Sequence, residues 1–178
     1  MLAKTMYGLE EILADELRDL GAQNVKIQNR AVSFKGDTGF MYKANLNLRT
    51  CLRVLKPIAT FQAHNEKELY NNILKIDWEE YLDLKNTFAT DATTNSEVFT
   101  HSKYASLLVK DGIADFFRKK YDDRPNVDPK NPDLTINLHI AKHTCTVSID
   151  SSGESLHKRG YKSNTIIAPM NEVLAAGL

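Results

Sequence analysis

The chain has 178 residues, 42% of them hydrophobic and 26% charged, with 23 Lys+Arg balanced by 23 Asp+Glu. That length and composition suit one ordinary domain or two small ones, and exclude a disordered tail. The zero net charge excludes a protein that coats polyanions indiscriminately, so any nucleic-acid binding must come from local patches. No apolar run approaches the roughly 20 residues that cross a bilayer, and the first eight residues lack the apolar core of a secretion signal. The reading is a cytoplasmic protein with no membrane partner. Cys51 and Cys145 stand far apart among apolar neighbours, which points to buried, reduced thiols.

In chain order, 2–5 is a short strand. Residues 8–20 place Leu9, Ile12, Leu13, Leu17 and Leu20 on one helical face, with Gly21 as the stop. Val25 and Ile27, then Val32 and Phe34, alternate as two strands joined near Asn29 and Arg30. A second helix opens near Asp37 with Phe40, Ala44 and Leu48 on one stripe, and residues 52–60 are strand-like again, with Pro57 at an edge or a break. Strand–helix–strand–strand–helix–strand is the order of the ferredoxin-like split βαβ unit.

Leu69, Ile73, Leu74 and Ile76 mark a third helix ending at Asp77 and Trp78, and residues 87–94 form a polar strand. Residues 101–121 carry Ala105, Leu108, Val109, Gly112, Ile113, Phe116 and Phe117 in a wide apolar stripe that must be buried, Phe116 included. A polar loop, 122–133, precedes a hairpin in which Leu134, Ile136, Leu138 and Ile140, then Cys145, Val147 and Ile149, alternate with polar residues. The fold class is α+β. Pro169 and residues 171–176 open a further helix, after a basic stretch and just before Leu178, as expected of a piece of a longer protein.

No glycine-rich phosphate turn, GxSxG elbow, GK[ST] sequence or HExxH helix is present, so no catalytic residue can be named and no cofactor or metal is expected on this chain. His139 and His143 read as strand residues around a turn, not as a zinc pair. The carboxylates of 122–133 read as a solvated loop. The nucleic-acid signals are local. Lys103 and Lys110 lie within about 20° of each other on a helical wheel, opposite most of the apolar stripe. Lys119 and Lys120 suit the negative end of their helix. The run 157–162 (HKRGYK) combines cations, an aromatic ring and a glycine, the types used for phosphate pairing and base stacking.

Four stretches carry a family resemblance: residues 8–13 (GLEEIL), 109–115 (VKDGIAD), 150–161 (DSSGESLHKRGY) and 168–176 (APMNEVLAA). Together they resemble the THUMP-containing RNA methyltransferases, specifically the bacterial ribosomal-RNA guanine N2-methyltransferase family. The resemblance implies a ferredoxin-like domain (1–56), a THUMP domain that binds structured RNA (57–154), and a basic linker with the first helix of an absent Rossmann-like methyltransferase domain (155–178). In that family the catalytic domain binds S-adenosylmethionine through a glycine-rich loop and takes the target base at an NPP-aromatic motif. Neither is here; Asn131, Pro132 and Asp133 lack the second proline and the aromatic. The expected function is an RNA-binding module, with no enzymatic activity of its own, that positions structured, ribosomal RNA for methylation downstream. Lys103, Lys110, Lys142, Lys158 and Arg159 are the expected RNA contacts, with Tyr161 as a stacking surface. A stand-alone ferredoxin-like domain that senses a small molecule is the alternative.

Overall fold

The computed structural model describes residues 1–159 and 170–178; Tyr161 lies outside them. The elements run β1 (Leu2–Lys4), α1 (Glu10–Asp19), β2 (Gln23–Gln28), β3 (Ala31–Lys35), α2 (Thr38–Asn47), β4 (Arg53–Gln62), α3 (Glu66–Ile73), β5 (Thr87–Asn95), α4 (Ser102–Tyr121), β6 (Asn126–Val127), β7 (Leu134–Ala141), β8 (Thr144–Asp150) and α5 (Glu172–Gly177). They form two compact units, Met1–Lys56 with Ser151–Leu178, and Pro57–Asp150. Among the described residues no helix is long and apolar enough to cross a membrane.

In the first unit the strands lie in the order β2-β3-β1-β4, every neighbouring pair antiparallel, which is the ferredoxin-like arrangement. The β2–β3 turn closes at Arg30, whose φ of +57° is left-handed. Its N–H donates to Glu10 Oε1 at 2.9 Å. Asp37 caps α2 by accepting from the Phe40 N–H at 2.7 Å. Leu13, Leu17, Val32, Phe34, Met41, Ala44 and Val54 fill the core between helices and strands, while Ile12 is left 37% exposed at the margin of the α1 stripe. The segment from Ser151 returns along this unit, with the Ser151 N–H on Val54 O (3.0 Å) and the Leu156 N–H on Leu52 O (2.9 Å). At Gly177 a Cβ would lie 2.5 Å from Leu9 Cδ2, so α5 seats closely against the side chain that precedes α1.

In the second unit the strands follow the order β4-β8-β7-β5-β6. The β7–β8 hairpin is antiparallel, but β5 runs parallel to both β7 and β6. That parallel pairing follows from the helix between β5 and β7, which must carry the chain back along the sheet. Two sequence expectations change here. The segment 122–133 is not all loop, because β6 lies within it. Phe116 is only partly buried, and Phe117, 1% exposed, is the core ring of α4. Positions one residue apart differ by about 100° around a helix, so a broad stripe does not decide between them.

Trp78 is fully buried, past the end of α3, and its indole N–H donates to Ile73 O at 2.9 Å, which satisfies the one polar atom it brings into the core. Besides the Tyr104 hydroxyl on Glu66 Oε2 at 3.3 Å, two contacts join α3 to α4. Gly112 lets the helices close: a Cβ there would lie 2.6 Å from Ile73 Cγ2. The Tyr70 hydroxyl donates to Asp115 Oδ2 at 2.6 Å. This bond holds the Asp115 carboxyl below its usual range and, reinforced by burial, pushes the Tyr70 hydroxyl up to about 12. Both cysteines are buried; burial pushes the Cys145 thiol up to about 11, away from the reactive thiolate.

Candidate nucleic-acid interface

Strand direction decides which cations of the second unit meet. The C-terminal ends of β5 and β7 coincide, since Asn95 is in register with Ala141. The β7–β8 turn therefore sits at the end from which the chain leaves β5 to begin α4. Lys142 occupies that turn with φ +56° and donates its backbone N–H to Asn95 O at 2.8 Å. Lys103, one residue inside α4, belongs to the same end. The end of β4 is there as well, since the Ala63 N–H donates to His143 O at 2.9 Å. The starts of α3, where Asn65 caps the Glu68 N–H at 2.9 Å, and of α4, with their positive dipole ends, thus share one end of the unit with Lys103 and Lys142.

Lys103 is exposed. Lys110 stands two turns further along α4, its side chain 34% exposed and its ammonium 2.9 Å from Asp111 Oδ1. Two exposed apolar side chains, Tyr104 and Leu107, lie among these lysines. The opposite end of the helix is electrostatically occupied. Arg118 pairs with Asp115 at 3.0 Å, and Lys120 and Tyr121 both bond Glu79, which raises the pKa of the Lys120 ammonium. The α4 C-terminus closes at Asp122 in the left-handed region, φ +55°.

In the first unit Lys158 is exposed, with its backbone N–H on Ser155 O at 2.9 Å. Its neighbour Arg159 is differently used. Its Nε donates to Leu156 O (3.0 Å), Nη1 to Leu46 O (2.6 Å) and Nη2 to Asn45 O (3.0 Å) and Leu48 O (2.6 Å). Those of Asn45, Leu46 and Leu48 are carbonyls at and just beyond the end of α2, where no further helical turn supplies donors. This clamp was not visible in the sequence, which showed only a basic run. A cavity of about 420 Å³ adjoins it, bordered by Leu46, Arg49, His157 and Glu172. Among the described residues no three His, Cys, Asp or Glu side chains gather as a metal site.

The comparisons with known proteins agree with this architecture. Residues 1–55 match the RlmL ferredoxin-like domain and residues 63–150 match the THUMP domain. The chain is 43% identical over 176 residues to a putative RNA methyltransferase of Synechocystis sp., covering 99% of this chain and 46% of that protein. It is 42% identical over 171 residues to the ribosomal RNA large subunit methyltransferase K/L of Syntrophotalea carbinolica, covering 96% of this chain and 24% of the relative. A crystal structure from Listeria monocytogenes, described as a predicted N6-adenine-specific DNA methylase, superposes with a TM-score of 0.83 at 30% identity, over 98% of this chain and 46% of that one. The fold is thus a ferredoxin-like domain followed by a THUMP domain. The chain carries both of these domains in that order, is similar to the two methyltransferases over nearly its whole length, and spans only 24% to 46% of the length of these relatives.

Proposed function

We propose that this chain is the RNA-binding front of an S-adenosylmethionine-dependent RNA methyltransferase, holding structured, ribosomal RNA so that a downstream catalytic domain reaches its target base. The observation that carries this reading is the match of residues 63–150 to the THUMP domain in a chain whose relatives are described as RNA methyltransferases. In this reading residues 1–56 are the ferredoxin-like domain, 57–154 the THUMP domain, and 155–178 the connection to the catalytic domain, which supplies the cofactor site and the chemistry. Lys103, Lys110, Lys142 and Lys158 contact phosphates. Arg159 holds the segment that carries Lys158, since its guanidinium already serves four carbonyls. Tyr161 remains a stacking candidate.

Phosphate contacts position RNA without reading its sequence. Four of them give a slope of log affinity against log salt of roughly 2.8–3.6, so affinity falls about fifty- to a hundred and fiftyfold between about 50 and 200 mM salt. The test is fluorescence anisotropy of a labelled RNA hairpin against salt, with a DNA duplex of the same length as a second arm. A salt-independent or absent signal with RNA rejects the reading; equal affinity for the DNA rejects its restriction to RNA.

A further inference from the structure

At the end of the second unit that carries Lys103 and Lys142, two imidazoles lie face to face. His64 follows β4, and His143 is the second residue of the β7–β8 turn. Strand pairing brings them together, through the Ala63 N–H on His143 O at 2.9 Å and Gln62 Nε2 on Thr144 Oγ1 at 3.0 Å. The ring centroids are 4.6 Å apart and the planes are inclined by only 10°. The His64 side chain is 61% exposed, and His143 is exposed too. Neither ring belongs to the buried core. His64 Nδ1 lies 3.5 Å from Glu68 Oε2, and the His143 ring has no hydrogen-bond partner among the described residues. A stacked, solvent-facing pair of this kind contributes little to the core, so its packing does not explain it.

We propose that His64 and His143 form a stacking platform for one unpaired RNA nucleobase, and that Lys142, the residue beside His143, takes a phosphate of the same nucleotide. The proposal rests on the RNA-binding reading above and narrows it to a single-stranded element. A base that extends an existing near-parallel stack removes π-surface from water, and the two rings already hold each other, so little side-chain freedom is lost on binding. The cation and the flat surface come from adjacent residues of one tight turn, the combination by which unpaired RNA is held. A paired base cannot use the platform, because its faces are covered by its neighbours in the helix. The ligand is therefore a nucleotide in a loop, bulge or end, and its base identity matters little, because every base has a π-face.

The experiment uses the full chain and an RNA hairpin carrying 2-aminopurine in its loop, whose fluorescence is quenched by stacking. Affinity is read by anisotropy on the same RNA. The wild-type chain is expected to quench the probe. H64A/H143A is expected to lose the quench and about five- to a hundred and sixtyfold in affinity, with its salt slope kept. H64F/H143F, which retains two stackable rings, restores both. K142Q lowers the salt slope by about 0.7–0.9 and keeps the quench. Unchanged quench and affinity in H64A/H143A overturn the platform while leaving phosphate-based RNA binding intact. So does equal competition by a blunt duplex without unpaired nucleotides. Absence of any RNA binding by the wild type removes both readings.

Discussion

Replacing Arg159 by Ala separates two uses of a positive charge that the sequence cannot distinguish. The guanidinium is half-buried and donates four hydrogen bonds of 2.6–3.0 Å to the carbonyls of Leu156, Leu46, Asn45 and Leu48. Hydrogen bonds from a charged donor contribute about 1.5–3 kcal/mol each when isolated. Here they share one group, and water rehydrates part of what is exposed. The three carbonyls at the end of α2 are also the negative end of the helix dipole, which favours a cation. An overall loss of about 2–3 kcal/mol is expected for Arg159→Ala. Arg159→Lys, with one ammonium and no fork, should recover only part of it. Lys158→Ala, at an exposed position, should change stability by less than about 0.5 kcal/mol. The assay is urea denaturation followed by circular dichroism. In the RNA salt titration the order reverses: Lys158→Ala lowers the slope by about 0.7–0.9, and Arg159→Ala leaves it unchanged. An unaltered denaturation midpoint in Arg159→Ala, together with a reduced salt slope, would refute the clamp and return this guanidinium to the RNA.

Two further predictions concern the α3–α4 contact. Gly112→Ala gains about 1 kcal/mol of helix propensity, but the new Cβ at 2.6 Å from Ile73 Cγ2 introduces overpacking that costs about 1–3 kcal/mol, so a lower melting temperature is expected. In an Ile73→Ala background, where that methyl is gone and only the residue-73 Cβ at 3.1 Å remains close, the same substitution should cost less than in the wild type; a matching loss in both backgrounds would refute the contact. Tyr70→Phe should alter the alkaline limb of stability. The folded-state pKa of Tyr70, about 12, lies above the ordinary value of 10.0, so its contribution is complete below pH 10 and is lost as pH rises towards 12. The variant, measured by thermal melts across that range, should be less stable at neutral pH and decline less steeply. The depressed Asp115 carboxyl works in the opposite direction, losing its contribution as pH falls through the acid range.

The ferredoxin-like unit was legible in the order of its elements, with the Asp37 cap and the Arg30 turn where the sequence places them, although α2 stops at Asn47 so that Leu48 of its expected stripe lies beyond it, and β2 is almost wholly exposed. The THUMP unit was less so. The sequence of β5 (TFATDATTN) is polar, and nothing in it shows that it runs parallel to β7. The two residues of β6 are held by that pairing and have no periodic signal of their own. Lys103 and Lys142 lie far apart in the sequence and come to one end of the unit through strand register. The stacked histidines arise in the same way, from the pairing of β4 with β8, and no local pattern near His64 or His143 announces them. Arg159 was read as one cation in a basic run because the carbonyls it meets belong to the end of α2, more than a hundred residues earlier.

Of the four stretches that carry the family resemblance, residues 109–115 are built mostly for packing. Val109, Gly112, Ile113 and Ala114 are buried, and Asp115 bonds to Tyr70 of α3. Lys110 and Asp111, paired with each other, stand at the outer side. Gly112 and Asp115 together set the distance and rotation of α4 against α3, and a helix held in rotation presents a determined outward face. Lys103, seven residues before Lys110, falls on that face by the helical period. The stretch therefore acts mainly through packing, because it fixes the rotation of the helix on which the proposed contacts Lys103 and Lys110 stand. Gly112 and Asp115 answer to partners inside the fold, Ile73 and Tyr70 of α3, whereas Lys103 is exposed and answers to none of the core.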